Sequence, residues 1–175
     1  MADVLTREQR RLNMSRIRGR DTKPELILRR GLHALGLRFR LHRKDLPGKP
    51  DLVFVRHRAI ILVHGCFWHG HHCPMFRWPA TRPEFWKEKI AGNHERDQAV
   101  VKTLSEAGWR VLVIWECALR GPARRPVEDV LDRCKGFIEG RGEAFAEIGG
   151  ARRAKGRDPG FRRPNLAAPS SILSF

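Results

Sequence analysis

The order of apolar runs, turn signals and helical periodicities predicts an α/β protein, a mixed β-sheet flanked by helices. Three observations carry this. Two short apolar runs, Asp51-Leu-Val-Phe-Val55 and Ala59-Ile-Ile-Leu-Val63, are separated only by Arg56-His-Arg58 and read as a hairpin. A third run, Arg110-Val-Leu-Val-Ile-Trp115, follows a helical stretch from Pro83 through Ala107 that breaks at Gly108, which makes a strand–helix–strand order. Val127 to Ile138 repeats apolar residues at helical period and supplies a further helix.

Ahead of the first strand, Thr22-Lys-Pro-Glu25 is a capping-box pattern with proline in the first turn. Leu28, Leu32 and Leu35 continue at helical period up to Gly36, so a helix is expected to about Leu35. Leu46-Pro-Gly-Lys-Pro50 is a turn that delivers Asp51 to the start of its strand. Residues 1–20 mix arginines with Leu5, Leu12, Met14 and Ile17, an amphipathic spacing too short to be stable alone. From Gly140 to the end the chain is rich in Gly, Arg, Ala and Pro with little periodicity, and an irregular tail is expected. The expected organisation is therefore a basic N-terminal segment (1–20), a catalytic domain (21–139) and a basic, flexible tail (140–175).

Composition narrows the class of function. The 175 residues, 41% hydrophobic, suit one well-buried domain. Lys and Arg number 35 against 19 Asp and Glu, a formal net charge of +16. Self-repulsion on that scale disfavours a compact chain unless a polyanion neutralises it, so nucleic acid is the expected partner. No apolar stretch approaches the roughly 20 residues that span a bilayer, and the N-terminus has no signal-peptide hydrophobic region. An intracellular, cytoplasmic protein is expected.

The densest chemistry lies in His64-Gly-Cys-Phe-Trp-His-Gly-His-His-Cys73. In a reducing compartment its cysteines read as metal ligands, and thiolate with imidazole is the donor set Zn²⁺ prefers. Cys66, His71 and Cys73 are close enough for one ion, and Cys117, just past the third apolar run, is the best remote fourth ligand. Four protein ligands make a structural zinc, whereas three and a water would make a catalytic one. With the four so used, His64 and His69 are left for proton transfer. Either could instead complete the zinc or be a core histidine. His72 reads as a solvated neighbour and Cys134 as a free thiol. Asp51, at the mouth of its strand, could hold a hard cation such as Mg²⁺ beside a phosphate, although Pro-Asp pairs are common turn formers. Phe67, Trp68 and Trp86 lie among cations and are candidates to stack on bases, while Trp109, Trp115, Phe54 and Leu62 read as core.

Taken together, Pro50-Asp51, the His64–Cys73 cluster, Pro79-Ala-Thr-Arg82, Glu84-Phe-Trp86, Lys89-Ile90, Asn93 with Glu95-Arg-Asp97, and Gly108 to Arg120 closely resemble the very short patch repair (Vsr) endonucleases. The similarity runs from about Asn13 to about Ile138. It implies a restriction-endonuclease-like core of the PD-(D/E)xK type with one structural zinc, although no Glu-x-Lys element is evident and histidines stand in its place. The activity it implies is Mg²⁺-dependent nicking of duplex DNA beside the thymine of a T:G mismatch. The resemblance further implies a nucleoid-associated protein of bacterial type acting as a monomer, with mismatch-repair proteins or a cytosine methyltransferase system as candidate partners.

Carried onto this chain, the resemblance implies that Asp51 and the backbone carbonyl of Val63 bind Mg²⁺. It makes His69 the general base, oriented by Asp97, and sets His64 on the scissile phosphate or a metal-held water. With the resemblance set aside, the competing reading of Asp97 is an ion pair with Arg96 or lysines on its own helix. Glu25 is explained by capping, yet the resemblance also puts it near the metal through water. Phe67, Trp68 and Trp86 are implied to insert beside the mismatch, Met14 and Ile17 to wedge from the opposite groove, and Arg18, Arg20 and Lys89 to hold phosphates, with Asn93 a further DNA contact. Two other readings stay open: a same-fold nuclease of different specificity, and a zinc-stabilised DNA-binding module without catalysis.

Overall fold

The computed structural model describes Thr6, Glu8, Gln9, Arg11, Leu12 and residues 19–151. Met14, Ile17 and Arg18, and the tail from residue 152, lie outside the described residues. At the N-terminus Thr6 and Gln9 cap each other, Gln9 N–H donating to Thr6 Oγ1 at 3.1 Å and Thr6 N–H to Gln9 Oε1 at 2.9 Å. Such a reciprocal pair starts a helix, and Glu8, Gln9, Arg11 and Leu12 are helical.

Helix α1 (Lys23–Ala34) starts at the capping box expected at Thr22, with Glu25 reaching back to the Thr22 N–H. Leu28 and Leu32 are buried, but Leu35 is the C-cap and 40% exposed; Leu37, past the Gly36 reversal, turns inward instead. Strands β1 (Arg40–Leu41), β2 (Leu52–Phe54) and β3 (Ala59–His64) form an antiparallel run. The strand expected over 51–55 is shorter because Val55–His57 coils into a 3₁₀ turn, closed by Arg58 in the left-handed region (φ 50°). After α2 (Pro83–Glu106), β4 (Arg110–Trp115) adds parallel to β3. The short α3 (Glu116–Leu119) and α4 (Val127–Ile138) follow.

The expectation of irregular chain from Gly140 is corrected at Phe145–Ile148, which forms β5 parallel to β4. Val111 N–H donates to the Ala144 carbonyl at 2.8 Å, and Ile148 closes over the core. Partner strand and register come from the tertiary fold, which is why so short a run between glycines carried no periodic signal. The sheet order is β1-β2-β3-β4-β5.

Near-continuous apolar runs make β3 and β4 suitable for burial on both faces. Ala59, Ile61, Leu112 and Ile114 meet Leu28 and Leu32 of α1 and Val130, Cys134 and Phe137 of α4. On the opposite face Ile60, Leu62, Val111 and Val113 meet Leu104 of α2 and Trp109. This topology brings the predicted site residues to one place. The C-terminal ends of β3 and β4, the entry to β2 at Asp51 and the start of α1 share one end of the sheet, because β2 runs antiparallel to β3 and Asp51 accepts the Val63 N–H at 2.7 Å. Among the described residues no helix is long and apolar enough to cross a membrane.

Candidate active site and metal centre

Beyond β3 the chain winds back on itself: His71 N–H donates to the Cys66 carbonyl at 2.9 Å and His69 N–H to Gly65 at 3.3 Å. Gly70 is required at the crossing, since its φ is +56° and a Cβ there would come within 2.7 Å of Ile90 on α2. The winding brings Cys66, His71 and Cys73 to Cys117 at the start of α3, with one donor atom from each residue within 4.8 Å of the others. His71 directs Nδ1 at Cys66 Sγ (3.6 Å) and Cys117 Sγ (3.4 Å), and its ring stacks on Trp115 at 4.1 Å. Backbone N–H groups of Cys117 and Gly150 donate to Cys66 Sγ and Cys117 Sγ at 3.3 and 3.2 Å. The Cys66 thiol, the His71 ring and the Gly150 N–H hold the Cys117 thiol below its ordinary range, while Cys66 is pushed up by sharing a proton with Cys117 and by burial, against the pull of the Cys117 N–H. All four cysteines are free, and Cys134 lies apart from the cluster in the core. Thiolates backed by N–H donors around an imidazole suit a soft or borderline cation.

His64 and His69, each edge to face with the Trp115 ring, face a carboxylate. His69 Nδ1 lies 2.5 Å from Asp97 Oδ2, and the His64 ring stacks on His69 with centroids 4.0 Å apart and planes 4° from parallel. His64 Nδ1 is 4.0 Å from the same Asp97 oxygen. Burial and the neighbouring His69 push the His64 pKa down to about 4, so this ring is neutral at ordinary pH. Asp97 thus serves the histidines, not Arg96, which instead donates to the Gly92 carbonyl at 2.9 Å and to Asn93 Oδ1. An imidazole whose Nδ1–H is held by a carboxylate keeps Nε2 free to accept a proton.

Asp51 is largely buried, and burial pushes its carboxyl up to about 6 even though the Val63 N–H opposes that shift. Glu25 is 3% exposed. It accepts from Thr22 Oγ1 at 2.8 Å and Arg29 Nη2 at 2.6 Å, so capping and a buried ion pair both hold it. A cleft of about 450 Å³ is lined by Glu25, Asp51, Val63, His64, Trp68 and His69 among others. A second, of about 580 Å³, continues past Trp68 and His69 to Lys89, Asn93, Arg96 and Asp97.

Phe67, Trp68 and Trp86 cluster edge to face and tilted, with centroids 5.1 to 6.1 Å apart, and all three are half-buried. Asn93 Nδ2 donates to the Trp68 carbonyl at 2.6 Å, fixing this ring to α2. Arg20 and His72 are exposed; Trp109, Trp115, Phe54 and Leu62 are buried. The sequence reading missed Arg29, His42 and the exposed Trp78, which extends the aromatic group through Phe76 at 5.0 Å. Phe76-Arg-Trp78 carried the ring-and-cation signal used for Trp68 and Trp86; Arg29 and His42 carried none.

A buried carboxylate beside a histidine–aspartate pair, in a basic α/β protein with a thiolate–imidazole knuckle, defines a class: a sheet-end site equipped for proton transfer and for holding cations. The comparison with known proteins makes this specific. Residues 2–75 match the family described as DNA mismatch endonuclease Vsr. Over 148 residues the chain is 49% identical to the DNA mismatch endonuclease Vsr of Escherichia coli (strain K12), covering 85% of this chain and 94% of that relative. It is 46% identical over 134 residues to the type II nicking enzyme V.XorIIP of Xanthomonas oryzae pv. oryzae, covering 75% and 98%, and 39% identical over 123 residues to V.NmeAIP of Neisseria meningitidis, covering 70% and 88%. The chain belongs to the Vsr family of DNA mismatch endonucleases.

Proposed function

We propose that the protein is a Mg²⁺-dependent endonuclease that nicks one strand of duplex DNA beside the thymine of a T:G mismatch, on a restriction-endonuclease-like core. The observation that carries the reading is the 2.5 Å contact of His69 Nδ1 with Asp97 Oδ2 in a residue that also lines the Asp51 cleft. Family membership and the activities for which the relatives are named, mismatch endonuclease and nicking enzyme, support DNA as the substrate.

His69, its Nδ1–H fixed on Asp97, accepts the proton of the attacking water at Nε2 as the phosphodiester bond opens. His64, neutral and stacked against it, donates a hydrogen bond to the phosphate oxygen that gains charge. Mg²⁺ fits the hard oxygens of Asp51 and the Val63 carbonyl, since Asp51 is a largely buried carboxylate beside that of Glu25, and when bound it would supply Lewis-acid stabilisation of the phosphate. Glu25 takes part through water. Zn²⁺ fits Cys66, His71, Cys73 and Cys117, which would hold it and so brace the knuckle that carries Phe67, Trp68 and His69. Phe67, Trp68 and Trp86 enter the weakened mismatch step, with Met14 and Ile17 opposite, while Arg18, Arg20, Lys89 and Asn93 hold the backbone and bases.

The test is a nicking assay on otherwise identical T:G-mismatched and matched duplexes, with and without Mg²⁺. A strand-specific nick on the mismatched duplex, lost in Asp51→Ala protein that still binds it, is the expected result. Tight binding without any nick would make the protein a zinc-stabilised binding module; equal nicking of other mismatches would remove the T:G assignment.

A further inference from the structure

Ligand atoms of Asp21, Glu25 and His42 lie within 4.8 Å of one another beside the Asp51 cleft, an arrangement a divalent cation could use. A cation is already there. Arg29, one turn along α1 from Glu25, places Nη1 2.5 Å from Asp21 Oδ1 and Nη2 2.6 Å from Glu25 Oε2. The same Nη2 lies 2.9 Å from His42 Nε2. A guanidinium only donates, so His42 accepts at Nε2 and carries its proton on Nδ1. That nitrogen faces Asp51 Oδ1 at 3.8 Å, while the other Asp51 oxygen is taken by the Val63 N–H. The Arg29 side chain is only 11% exposed and its Nε is buried without a hydrogen-bond partner. An arginine buried with one donor unsatisfied is held where its fork is needed, on the carboxylates, not where its own bonding would be best.

We propose that Arg29 is a positioning residue for the metal-binding carboxylates. It fills the cation place in the Asp21–Glu25–His42 cluster, keeps Glu25 turned onto its helix cap, and sets the His42 ring so that its N–H faces Oδ1 of Asp51. The divalent ion is thereby directed to Asp51. The inference rests on the reading of Asp51 as a Mg²⁺ ligand.

The test compares wild type, Arg29→Met, Arg29→Lys and His42→Phe by two readouts: the Mg²⁺ concentration for half-maximal nicking, and Mn²⁺ binding to the DNA-free protein followed by electron paramagnetic resonance. Arg29→Met should raise half-saturating Mg²⁺ and weaken Mn²⁺ binding by about tenfold or more, the usual effect of removing a partner of a metal ligand, with the KM for mismatched duplex little changed. Arg29→Lys should recover part of this. A folded Arg29→Met protein with a lowered melting temperature but wild-type metal dependence would make the residue merely structural and overturn the proposal. If Arg29→Met does not fold, His42→Phe decides: a clear rise in half-saturating Mg²⁺ supports the proposal and none overturns it. Wild-type metal dependence in Asp51→Ala would instead show that the reading of Asp51 has failed.

Discussion

At the scale of single residues, His69 and Asp51 make opposite predictions for activity and stability. His69→Ala should bind mismatched duplex almost normally yet nick at least about 100-fold more slowly, the usual value of a general base; single-turnover rates at saturating enzyme read this directly. Asp51 has its carboxyl raised from 3.8 to about 6, chiefly by burial. A raised carboxyl pKa stabilises the fold below the unfolded value and loses that contribution as pH climbs through the folded one. Metal-free Asp51→Asn protein, which does not titrate, should therefore be more stable than wild type by about 2 to 3 kcal/mol at pH 8 and gain little at pH 4. Denaturant melts in chelator at the two pH values check this, and Mg²⁺ should raise the melting temperature of wild type alone. Single residues were legible where chemistry was contiguous in sequence. His64 to Cys73 announced itself by density, whereas Arg29 and His42 are 13 positions apart and meet only through the turn of α1 toward β1.

Elements carry the next level of the account. The knuckle after β3 is joined to α3 through Cys117 and to the segment after β5 through the Gly150 N–H, so one cation would tie together three parts of the chain. Cys117→Ser should lose bound zinc and unfold or aggregate rather than simply turn over slowly; zinc content and a thermal melt of the purified variant measure both, and a full complement of zinc in a stable variant would remove Cys117 from the site. The helices were readable because caps and breakers mark them: Thr22, Pro83 and Gly108 all bound elements where the sequence placed them. Short strands were not. β1 and β5 have two and four residues and owe their pairing to neighbours. The junction of β2 with its turn shifted because Arg58 adopts a left-handed conformation that spacing does not announce.

For the whole molecule, on the proposed function a net charge of +16 and the aromatic group beside the Asp51 cleft would divide the labour of binding. Phosphate contacts are indifferent to mispairing, so Lys89→Ala should weaken matched and mismatched duplexes alike and shallow the salt dependence by about one unit of slope. Ring insertion depends on how easily a base step opens. Trp68→Ala should cost about 1 to 3 kcal/mol of binding, with the larger loss on mismatched DNA. Equal losses on both duplexes would contradict the wedge. The central claim is that His69, fixed by Asp97 and next to Asp51, performs Mg²⁺-dependent nicking beside the thymine of a mismatched pair. The most direct measurement is the single-turnover nicking rate of wild type and His69→Ala on an end-labelled T:G duplex at saturating Mg²⁺, with binding measured on the same duplex. The account predicts a wild-type nick beside the thymine and a variant that binds within a few-fold but nicks at least about 100-fold more slowly; an undiminished rate in the variant, or no wild-type nick at the mismatch, would contradict it.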